Sequence, residues 1–300
     1  MDILVTGGAG YIGSATVKRL IEEGHSVVVI DNLSKSKKEY VDQKAIFHQG
    51  DLVDLEFLEH IFANHHFDVI MHFAAYKSVP ESNENPFKYS QNITSTINLL
   101  NLMVKYSVKK IIYSSSAAVY GNPQYTPIDE KHPTVPINFY GFTKLECEKL
   151  IQWYSKTKGI IGVCLRYFNV VGDTGLTYPR SGEEDIYSVI LDVLNGKKQE
   201  LVIYGNDYNT KDGTCVRDYI ELKDLVKAHI LALNSNQFEI INLGTGTGLT
   251  ILELVQLIES RVGKKINYQF GPRREGDIIV STASFDKAKA LLGWKPSLDF

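Results

Sequence analysis

The sequence predicts an α/β protein with a Rossmann-type doubly wound parallel sheet and a smaller C-terminal substrate-binding domain. Three observations lead to this prediction. Short strand-like segments alternate with stretches of helical periodicity through the first half of the chain. The strand-like segments are apolar throughout, as in parallel sheets that are covered on both faces. The first of them runs directly into a glycine-rich loop that is followed by a helical pattern.

The predicted elements of the first half follow one another at short intervals. The strands are expected at 3–5, 27–30, 45–47, 69–71, 111–113 and 162–165. Apolar residues that recur every three or four positions predict the helices between them, at about 12–24, 54–64, 86–106 and 139–158.

After Asn169 the pattern changes, because Gly, Pro and acidic residues crowd 172–185. Short strands are then predicted at 201–204 and 240–243, and helices at 186–195 and 250–261. We interpret this part as a substrate domain laid over the C-terminal edge of the sheet. The boundaries we expect are 1–168 for the first domain, with a return segment near 219–245, and 169–218 plus 246–300 for the second.

Composition and charge exclude several classes of protein. With 44% hydrophobic and 22% charged residues, the chain is neither a long disordered segment nor a collagen or coiled coil. The formal net charge of −3 gives no overall field that would recruit nucleic acid or an anionic membrane. No apolar run approaches membrane-spanning length, and Met1-Asp2 leads straight into a strand, which leaves no room for a signal peptide. We therefore expect no nucleic-acid partner, no membrane partner and a cytoplasmic location.

The cysteines and histidines show no ligand pattern. Cys147, Cys164 and Cys215 are widely spaced and form neither a CxxC motif nor a secretory disulfide framework. Among eight histidines, His65-His66 is the one close pair, and it lies between a helix pattern and a strand pattern. We interpret that pair as a solvated loop end and expect no metal site.

The first glycine loop has the features of a dinucleotide site. Gly7 permits the tight turn, Gly10 lets the backbone approach a pyrophosphate, and Gly13 allows helix and strand to pack closely. The helix N-terminus would then face the phosphates. Asp31 closes the second strand, where a carboxylate accepts the ribose hydroxyls and repels a 2′-phosphate, so the predicted cofactor is NAD.

A second glycine cluster, 244–248, also follows a strand and precedes a helix. It lacks a Lys before Ser or Thr and therefore is no P-loop. We interpret it as a tight strand-to-helix turn with Thr250 as the N-cap.

Tyr140 and Lys144 are four residues apart on a predicted helix and therefore share one face. A nearby cation lowers the pKa of a phenol, so the pair suits proton transfer from a sugar hydroxyl while hydride leaves the same carbon. Ser114-Ser115-Ser116 follows the fifth strand and points hydroxyls into the same crevice.

Taken together, these residues resemble the extended short-chain dehydrogenase/reductase family, and within it the UDP-glucose 4-epimerases. The resemblance covers nearly the whole chain. The segments that carry it are 6–13, 31–32, Asp51, 73–75, 114–121, 140–144, 166–169, 205–208, 212–219 and 272–277.

The resemblance implies a set of site residues. The catalytic residues would be Ser116, Tyr140 and Lys144. The NAD contacts would be Gly7, Gly10, Tyr11, Ile12, Gly13, Asp31, Asn32, Ser36, Asp51, Leu52, Phe73, Ala74, Ala75, Lys77, Asn92, Ser114, Tyr140, Lys144 and Phe168. The UDP-sugar contacts would be Lys77, Ser116, Tyr140, Asn169, Tyr204, Arg217, Arg274, Asp277 and Ser281.

The resemblance also implies roles. Tyr140 would be the base and acid, Ser116 would bind the sugar O4, and Lys144 would hold the nicotinamide ribose. Asn169, Arg217 and Arg274 would grip the pyrophosphate, since arginine offers bidentate forks to phosphate oxygens, while Asp277 would bind the uridine ribose and Tyr204 the uracil. Arg273 is interpreted as a solvated side chain on the surface.

The function implied is an isomerase reaction, the NAD-dependent epimerisation of a UDP-hexose at C4 through a 4-keto intermediate. A dehydratase, a reductase or a pentose epimerase of the same family stays an alternative, although dehydratases carry an Asp-Glu pair where this chain has Ala117 and Ala118. A non-catalytic NAD-binding regulator is a further alternative, which the combination of Ser116, Tyr140 and Lys144 disfavours.

Several features depart from the epimerase pattern or refine it. Glu183-Glu184-Asp185-Ile186 stands where epimerases commonly have an Asn-rich segment, and the sequence ends at Phe300 where they usually add a helix.

Ser281 replaces a Tyr that lies beside the sugar C2, so N-acetylated UDP-hexoses are expected as substrates too. Apolar residues on more than one face of helices 86–106 and 139–158 predict a homodimer.

Overall fold

The structure is a computed structural model, and it describes residues 1–172, 185–274 and 277–297. Within these ranges the strands are β1 (Asp2–Thr6), β2 (Ser26–Asp31), β3 (Ile46–Gln49), β4 (Val69–His72), β5 (Lys110–Ser114), β6 (Ile161–Tyr167), β7 (Asn169–Val171), β8 (Leu201–Tyr204), β9 (Val216–Glu221), β10 (Glu239–Leu243), β11 (Gly248–Thr250), β12 (Tyr268–Gly271) and β13 (Val280–Ser281). The α-helices are α1 (Tyr11–Glu22), α2 (Leu55–Asn64), α3 (Val79–Glu84), α4 (Pro86–Lys105), α5 (Phe139–Lys158), α6 (Ile186–Leu194), α7 (Leu222–Leu231), α8 (Ile251–Val262) and α9 (Asp286–Leu292).

Seven parallel strands form the central sheet, in the order β10-β6-β5-β4-β1-β2-β3. Successive residues of β1 point into different cores, Ile3 and Val5 into one and Leu4 into the other. Both faces of the sheet are therefore covered, which is why its strands are apolar throughout. The predicted doubly wound α/β fold is confirmed.

The order of strands reverses between β1 and β4, and a crevice opens there beyond the carboxyl ends of the strands. The loop after β1 and the loop after β4 meet at this point, because the amides of Phe73 and Ala74 both donate to the carbonyl of Thr6, at 3.0 and 3.1 Å. The glycine loop thus lies at the switch point of the sheet.

The four predicted helices of the first half form within two residues of their expected bounds. Local capping explains where they begin and end. Asp54 caps α2 by accepting from the amide of Phe57, Asn138 caps α5 by accepting from that of Gly141, and Gly159 ends α5 in a left-handed conformation with φ 69°.

Residues after 168 form two smaller sheets. Strand β9 pairs with β11 antiparallel, and with β13 and β7 in parallel, while β8 and β12 form a separate parallel pair. Strand β10 instead joins the edge of the central sheet beside β6. The division of the chain into two domains at the expected boundaries stays a prediction.

The second glycine cluster differs from its prediction. Its turn does not lead directly into a helix, because Gly248 and Thr250 first pair with Asp218 and Val216 to make β11. The strand forms because it pairs with β9, whose residues are about thirty positions away in sequence. A short window of sequence does not predict a pairing over that separation. Thr250 is nevertheless the N-cap of α8 and forms a capping box with Glu253.

No helix in the described ranges is both long and apolar enough to cross a membrane.

Candidate active site

The loop after β1 is shaped by its three glycines. Gly7 has φ +71°, and a Cβ there would lie 2.6 Å from the amide nitrogen of Ala74. A Cβ on Gly13 would lie 2.1 Å from the carbonyl oxygen of Gly7, so this residue sets how closely α1 packs on the loop. A Cβ on Gly10 would meet only the Gly7 carbonyl, at 3.2 Å. Gly10 therefore leaves an open approach at the N-terminus of α1, as a bound pyrophosphate requires.

Asp31 ends β2 beside this loop. Its carboxylate accepts from the amide of Ala9 at 3.0 Å, from the amide of Leu33 at 2.9 Å and from the hydroxyl of Ser36 at 2.9 Å. Nearby, the Asn32 amide donates to Asp51 at 2.9 Å. The loop and the acidic strand end are thus joined, and they fit a dinucleotide whose adenosine ribose carries free hydroxyls.

Other predicted cofactor contacts are distributed around the same crevice. Phe73 and Ala74 follow β4 and lie against the glycine loop, and Lys77 is exposed. Leu52 is buried in the core, and Tyr11 donates through its hydroxyl to the carbonyl of Gly172.

Asn92 is bound by several protein groups beside the crevice. Its side chain is buried and accepts from the amide of Tyr76 at 2.9 Å, while its own amide donates to the carbonyl of Tyr76 at 3.0 Å and to Thr143 at 3.2 Å. These bonds tie the loop after β4 to α5. Asn92 therefore holds the wall of the crevice in place.

Ser114 and Phe168 also lie behind the surface of the site. The Ser114 hydroxyl bonds the hydroxyl of Tyr167, and Phe168 packs among Val119, Tyr120 and Leu145. Ser114 contributes through its backbone, since its carbonyl oxygen accepts from Lys144 at 2.7 Å.

Ser116, Tyr140 and Lys144 are brought together by the close approach of α5 to a 3₁₀ helix at Ala117–Tyr120. The Tyr140 hydroxyl lies near Ser116, and the Lys144 ammonium lies 5.8 Å from the centroid of the Tyr140 ring. The approach depends on Gly141, where a Cβ would lie 2.5 Å from the carbonyl of Ala118. Sequence reasoning missed Gly141, although it stands inside the Tyr-Gly-x-x-Lys motif.

Burial is the main cause of the shifted pKa values of Tyr140 and Lys144. It raises the pKa of Tyr140 to about 12, against the opposing hydrogen bond from Ser116. It lowers the pKa of Lys144 to about 8, because the ammonium has lost most of its hydration. The lowered pKa expected for Tyr140 is therefore not seen in the protein without cofactor, because burial raises that pKa.

A second cluster gathers four of the predicted substrate residues. Arg217 and Arg274 both lie 3.8 Å from the carboxylate of Asp277, and the Arg274 guanidinium stacks over the ring of Tyr204 at 4.1 Å. Ser281 pairs with Arg217 across β13 and β9, and its side chain is buried. Asn169, at the start of β7, donates to the carbonyl of Asp218 at 3.1 Å.

Arg273 is exposed, as its interpretation as a solvated surface side chain implies, and it also has a protein partner. Its guanidinium donates to the carboxylate and carbonyl of Asp207, both at 2.7 Å, and lies 4.4 Å from the centroid of the Tyr208 ring. It joins the loop after β8 to the loop after β12.

Asp218 is a buried carboxylate that sequence reasoning missed. It accepts from the amide and hydroxyl of Thr245, both at 2.7 Å, and from the amides of Gly246 and Ala283, both at 3.0 Å. Burial raises the pKa of this carboxyl, and the four hydrogen bonds oppose the rise. Asp218 thereby fixes β9, the residues after β13 and the second glycine turn around Arg217.

The departure at 183–186 is described in part. Glu183 and Glu184 lie outside the described residues, whereas the Asp185 carboxylate caps α6 by accepting from the amide of Ser188 at 3.1 Å.

Among the described residues, no group of three or more His, Cys, Asp or Glu side chains is placed to hold a metal ion. His65 lies 3.2 Å from His48 and His66 lies 3.5 Å from Asp68.

The sequence matches a known family model and relatives of known name. The sequence model of the NAD dependent epimerase/dehydratase family matches residues 3–244. The UDP-glucose 4-epimerase of Lacticaseibacillus casei is 45% identical over 307 residues, covering 100% of this chain and 93% of the relative.

Two solved structures are similar over the whole chain. A UDP-glucose 4-epimerase from Stenotrophomonas maltophila with bound NAD and formylated UDP-arabinopyranose has a TM-score of 0.95 at 38% identity, covering 100% of this chain and 94% of that one. The UDP-Glc/GlcNAc 4-epimerase of Campylobacter jejuni has a TM-score of 0.87 at 36% identity, covering 100% of this chain and 95% of that one.

Proposed function

Because the chain belongs to the NAD dependent epimerase/dehydratase family, we propose that it interconverts UDP-glucose and UDP-galactose by NAD-dependent epimerisation at C4. The observation that carries the proposal is the contact of Ser116 with Tyr140, one helical turn from the buried Lys144 and in the crevice opened by the glycine loop. A site for proton transfer thus lies beside a site for a dinucleotide.

We propose that Tyr140 removes the proton of the C4 hydroxyl, with Ser116 hydrogen-bonded to the sugar O4 and relaying that proton. The glycine loop and Asp31 would hold NAD, which would supply the acceptor and donor of hydride for C4. The hydrogen bond from Ser116 favours the phenolate and opposes the effect of burial on the pKa of Tyr140. A bound nicotinamide would add a positive charge that acts in the same direction. Lys144, anchored on the Ser114 carbonyl, keeps its ammonium under the Tyr140 ring and can reach a ribose hydroxyl.

Arg217, Arg274, Asp277 and Tyr204 are proposed to hold the UDP moiety. The two guanidiniums carry the charge and the planar forks that suit a pyrophosphate, and in the structure they share the Asp277 carboxylate at 3.8 Å. Binding energy from UDP would keep the 4-keto intermediate in place while its sugar ring turns over between the two hydride transfers.

The proposal is tested with purified protein and UDP-galactose followed by NMR. We expect UDP-glucose to appear without added cofactor, and heat denaturation to release NAD that has copurified. A 4-keto-6-deoxy product would assign the site to a dehydratase, and no turnover would favour a regulator. A requirement for stoichiometric NADH would overturn the epimerase proposal.

We propose that N-acetylated UDP-hexoses are substrates as well. Ser281 is a small side chain that pairs with Arg217 across β13 and β9, beside the proposed sugar-nucleotide site. The Campylobacter jejuni relative bears the name UDP-Glc/GlcNAc 4-epimerase. Filling a pocket with extra atoms costs about 1–3 kcal/mol, or roughly ten- to a hundredfold in rate.

The test compares kcat/KM for UDP-glucose and UDP-GlcNAc on wild type, Ser281→Tyr and the control Ser281→Ala. We expect Ser281→Tyr to lower the value for UDP-GlcNAc selectively and Ser281→Ala to keep both. If wild type rejects UDP-GlcNAc by a hundredfold, or the ratio is the same in Ser281→Tyr, residue 281 does not select the substrate.

We propose a homodimer through the outer surface of α4 and α5. Of the residues behind the prediction, Leu100, Met103 and Leu145 are buried in the chain's own core. Ile93, Ile97 and Leu150 are half-buried, and Trp153 is 63% exposed, with Phe87 at 81% and Phe142 at 42% on the same helices. An apolar surface of this kind on two adjacent helices suits a four-helix contact with a second copy.

We also propose a cytoplasmic location. Cys147, Cys164 and Cys215 are all buried and unpaired with one another. Unpaired thiols are typical of a reducing compartment. Fractionation of cells with an antibody against the protein would test this location, and recovery in the secreted fraction would contradict it.

A further inference from the structure

A buried ion pair lies behind the segment that carries Ser116. Glu148 and Arg166 are 2% and 3% exposed, and the guanidinium binds the carboxylate with two bonds, Nε to Oε1 at 2.8 Å and a second from Nη2 to Oε2. Such a pair is costly to bury and is weak evidence for stability by itself. Its other contacts therefore indicate what it contributes.

Each member of the pair contacts one end of the same short segment. The Ser115 hydroxyl donates to Glu148 Oε1, and Arg166 Nη1 donates to the Tyr120 hydroxyl at 3.0 Å. The Tyr120 hydroxyl in turn donates to Asn242 on β10 at 2.6 Å, and the Asn242 amide donates to the carbonyl of Ile128 at 3.0 Å. All the side chains in this hydrogen-bond network are buried.

The segment between the two contacts begins with Ser116 and continues as the 3₁₀ helix. Just before this segment in the chain, the Ser114 carbonyl accepts from the Lys144 ammonium at 2.7 Å. Glu148 lies four residues beyond Lys144 on α5 and therefore faces the same strand end. The ion pair thus connects α5, which carries Tyr140 and Lys144, to both ends of the segment that carries Ser116.

We propose that the Glu148–Arg166 pair is a positioning device that fixes Ser116 relative to Tyr140 through Ser115 and Tyr120. This inference rests on the proposed function, because it concerns the geometry of that reaction. Proton transfer depends steeply on placement, and an error of about 1 Å in a catalytic group costs up to roughly a hundredfold in rate. Buried, fully bonded polar networks supply rigidity of this kind.

The decisive variants keep the ion pair and remove only its contacts with the segment. Glu148→Gln would leave the Arg166 charge buried and unpaired, and it would destabilise the whole fold. Tyr120→Phe keeps the ring and deletes the hydroxyl that joins Arg166 to Asn242. Ser115→Ala deletes the hydroxyl that binds Glu148.

Tyr154→Phe is the matched control, because the Tyr154 hydroxyl also donates to an asparagine at 2.6 Å, Asn101, on the outer side of α5. We expect Tyr120→Phe and Ser115→Ala each to lower kcat by about ten- to a hundredfold. KM for UDP-galactose and the NAD content should stay at the wild-type values, because neither side chain is a proposed ligand contact and Tyr120→Phe keeps the ring that packs with Phe168. Tyr154→Phe should keep wild-type kcat.

Thermal unfolding of all three variants separates positioning from stability. The inference holds if Tyr120→Phe loses kcat at a temperature where its thermal unfolding curve shows it fully folded. It is overturned if kcat stays within twofold of wild type in both Tyr120→Phe and Ser115→Ala, or if kcat and NAD content fall while KM rises. Wild-type protein without epimerase activity would contradict the proposed function instead.

Discussion

Tyr140 is the side chain on which the proposed chemistry depends most directly. Replacing it by Phe removes the hydroxyl that contacts Ser116 but leaves the ring and the helix intact. We expect Tyr140→Phe to keep NAD bound and to lower turnover by roughly 10²–10⁴, the usual contribution of a positioned acid–base group. Single-turnover kinetics and NAD content after denaturation measure the two effects.

Tyr125→Phe is the control for Tyr140→Phe, since its hydroxyl binds Asp129 at the exposed surface. It should retain wild-type turnover. A Tyr140→Phe enzyme that keeps most of its rate would show that another group is the base.

Two buried histidines predict how stability depends on pH. Burial lowers the pKa of His72 to about 3 and that of His229 to about 4, both from an ordinary value near 6.5. Both imidazoles are therefore neutral in the folded protein at pH 5, whereas the unfolded chain has bound protons there. Their stabilising contribution is complete above about pH 6.5 and is lost as the pH falls toward 4. At pH 5 the loss amounts to about 2 kcal/mol for each histidine.

Urea unfolding of wild type and His229→Gln between pH 7 and pH 5 tests this prediction. The variant, which cannot titrate at this position, should lose about 2 kcal/mol less over that interval. His66→Gln, at an exposed position, is the control and should follow wild type. Equal slopes in wild type and His229→Gln would mean that His229 is not held neutral by the fold.

At the scale of elements, the glycine loop and α1 respond differently to two similar substitutions. A Cβ on Gly13 would meet the Gly7 carbonyl at 2.1 Å, so Gly13→Ala must move α1 away from the loop. A Cβ on Gly10 meets only that carbonyl, at 3.2 Å, and otherwise fills the approach proposed for the pyrophosphate.

We therefore expect Gly13→Ala to destabilise the fold by about 1–3 kcal/mol, as overpacking does. Gly10→Ala should keep its stability within about 0.5 kcal/mol, as substitutions away from packed sites do, and lose NAD. Unfolding of apoprotein and NAD content after purification measure these effects. If Gly10→Ala retains full NAD occupancy, the pyrophosphate does not lie over Gly10.

The whole molecule is expected to associate through α4 and α5. Trp153 is 63% exposed on the outer side of α5, and a charge there would be buried without a partner in a dimer. We expect light scattering to give a dimer mass for wild type at micromolar concentration and a monomer mass for Trp153→Glu. Val262→Glu, at a similarly exposed apolar position on α8, should stay dimeric. A monomeric wild type would contradict the proposed dimer.

The sequence by itself determined the features that a short window of residues encodes. Helices α4 and α5 were predicted to within a residue, because apolar periodicity and the caps at Asn138 and Gly159 act within a few positions. The glycine loop, Asp31 and the Tyr140–Lys144 pair could be recognised because their spacing follows from one turn or one strand end.

Only the tertiary structure decided features that join distant parts of the chain. The Tyr120 hydroxyl and Asn242 are 122 positions apart, and nothing near either residue indicates the other. The same holds for the antiparallel pairing of β11 with β9, and for Asp218, which accepts from amides of two separate segments. Buried polar groups must find partners wherever packing places them, so their pairing follows from the whole fold and not from local sequence.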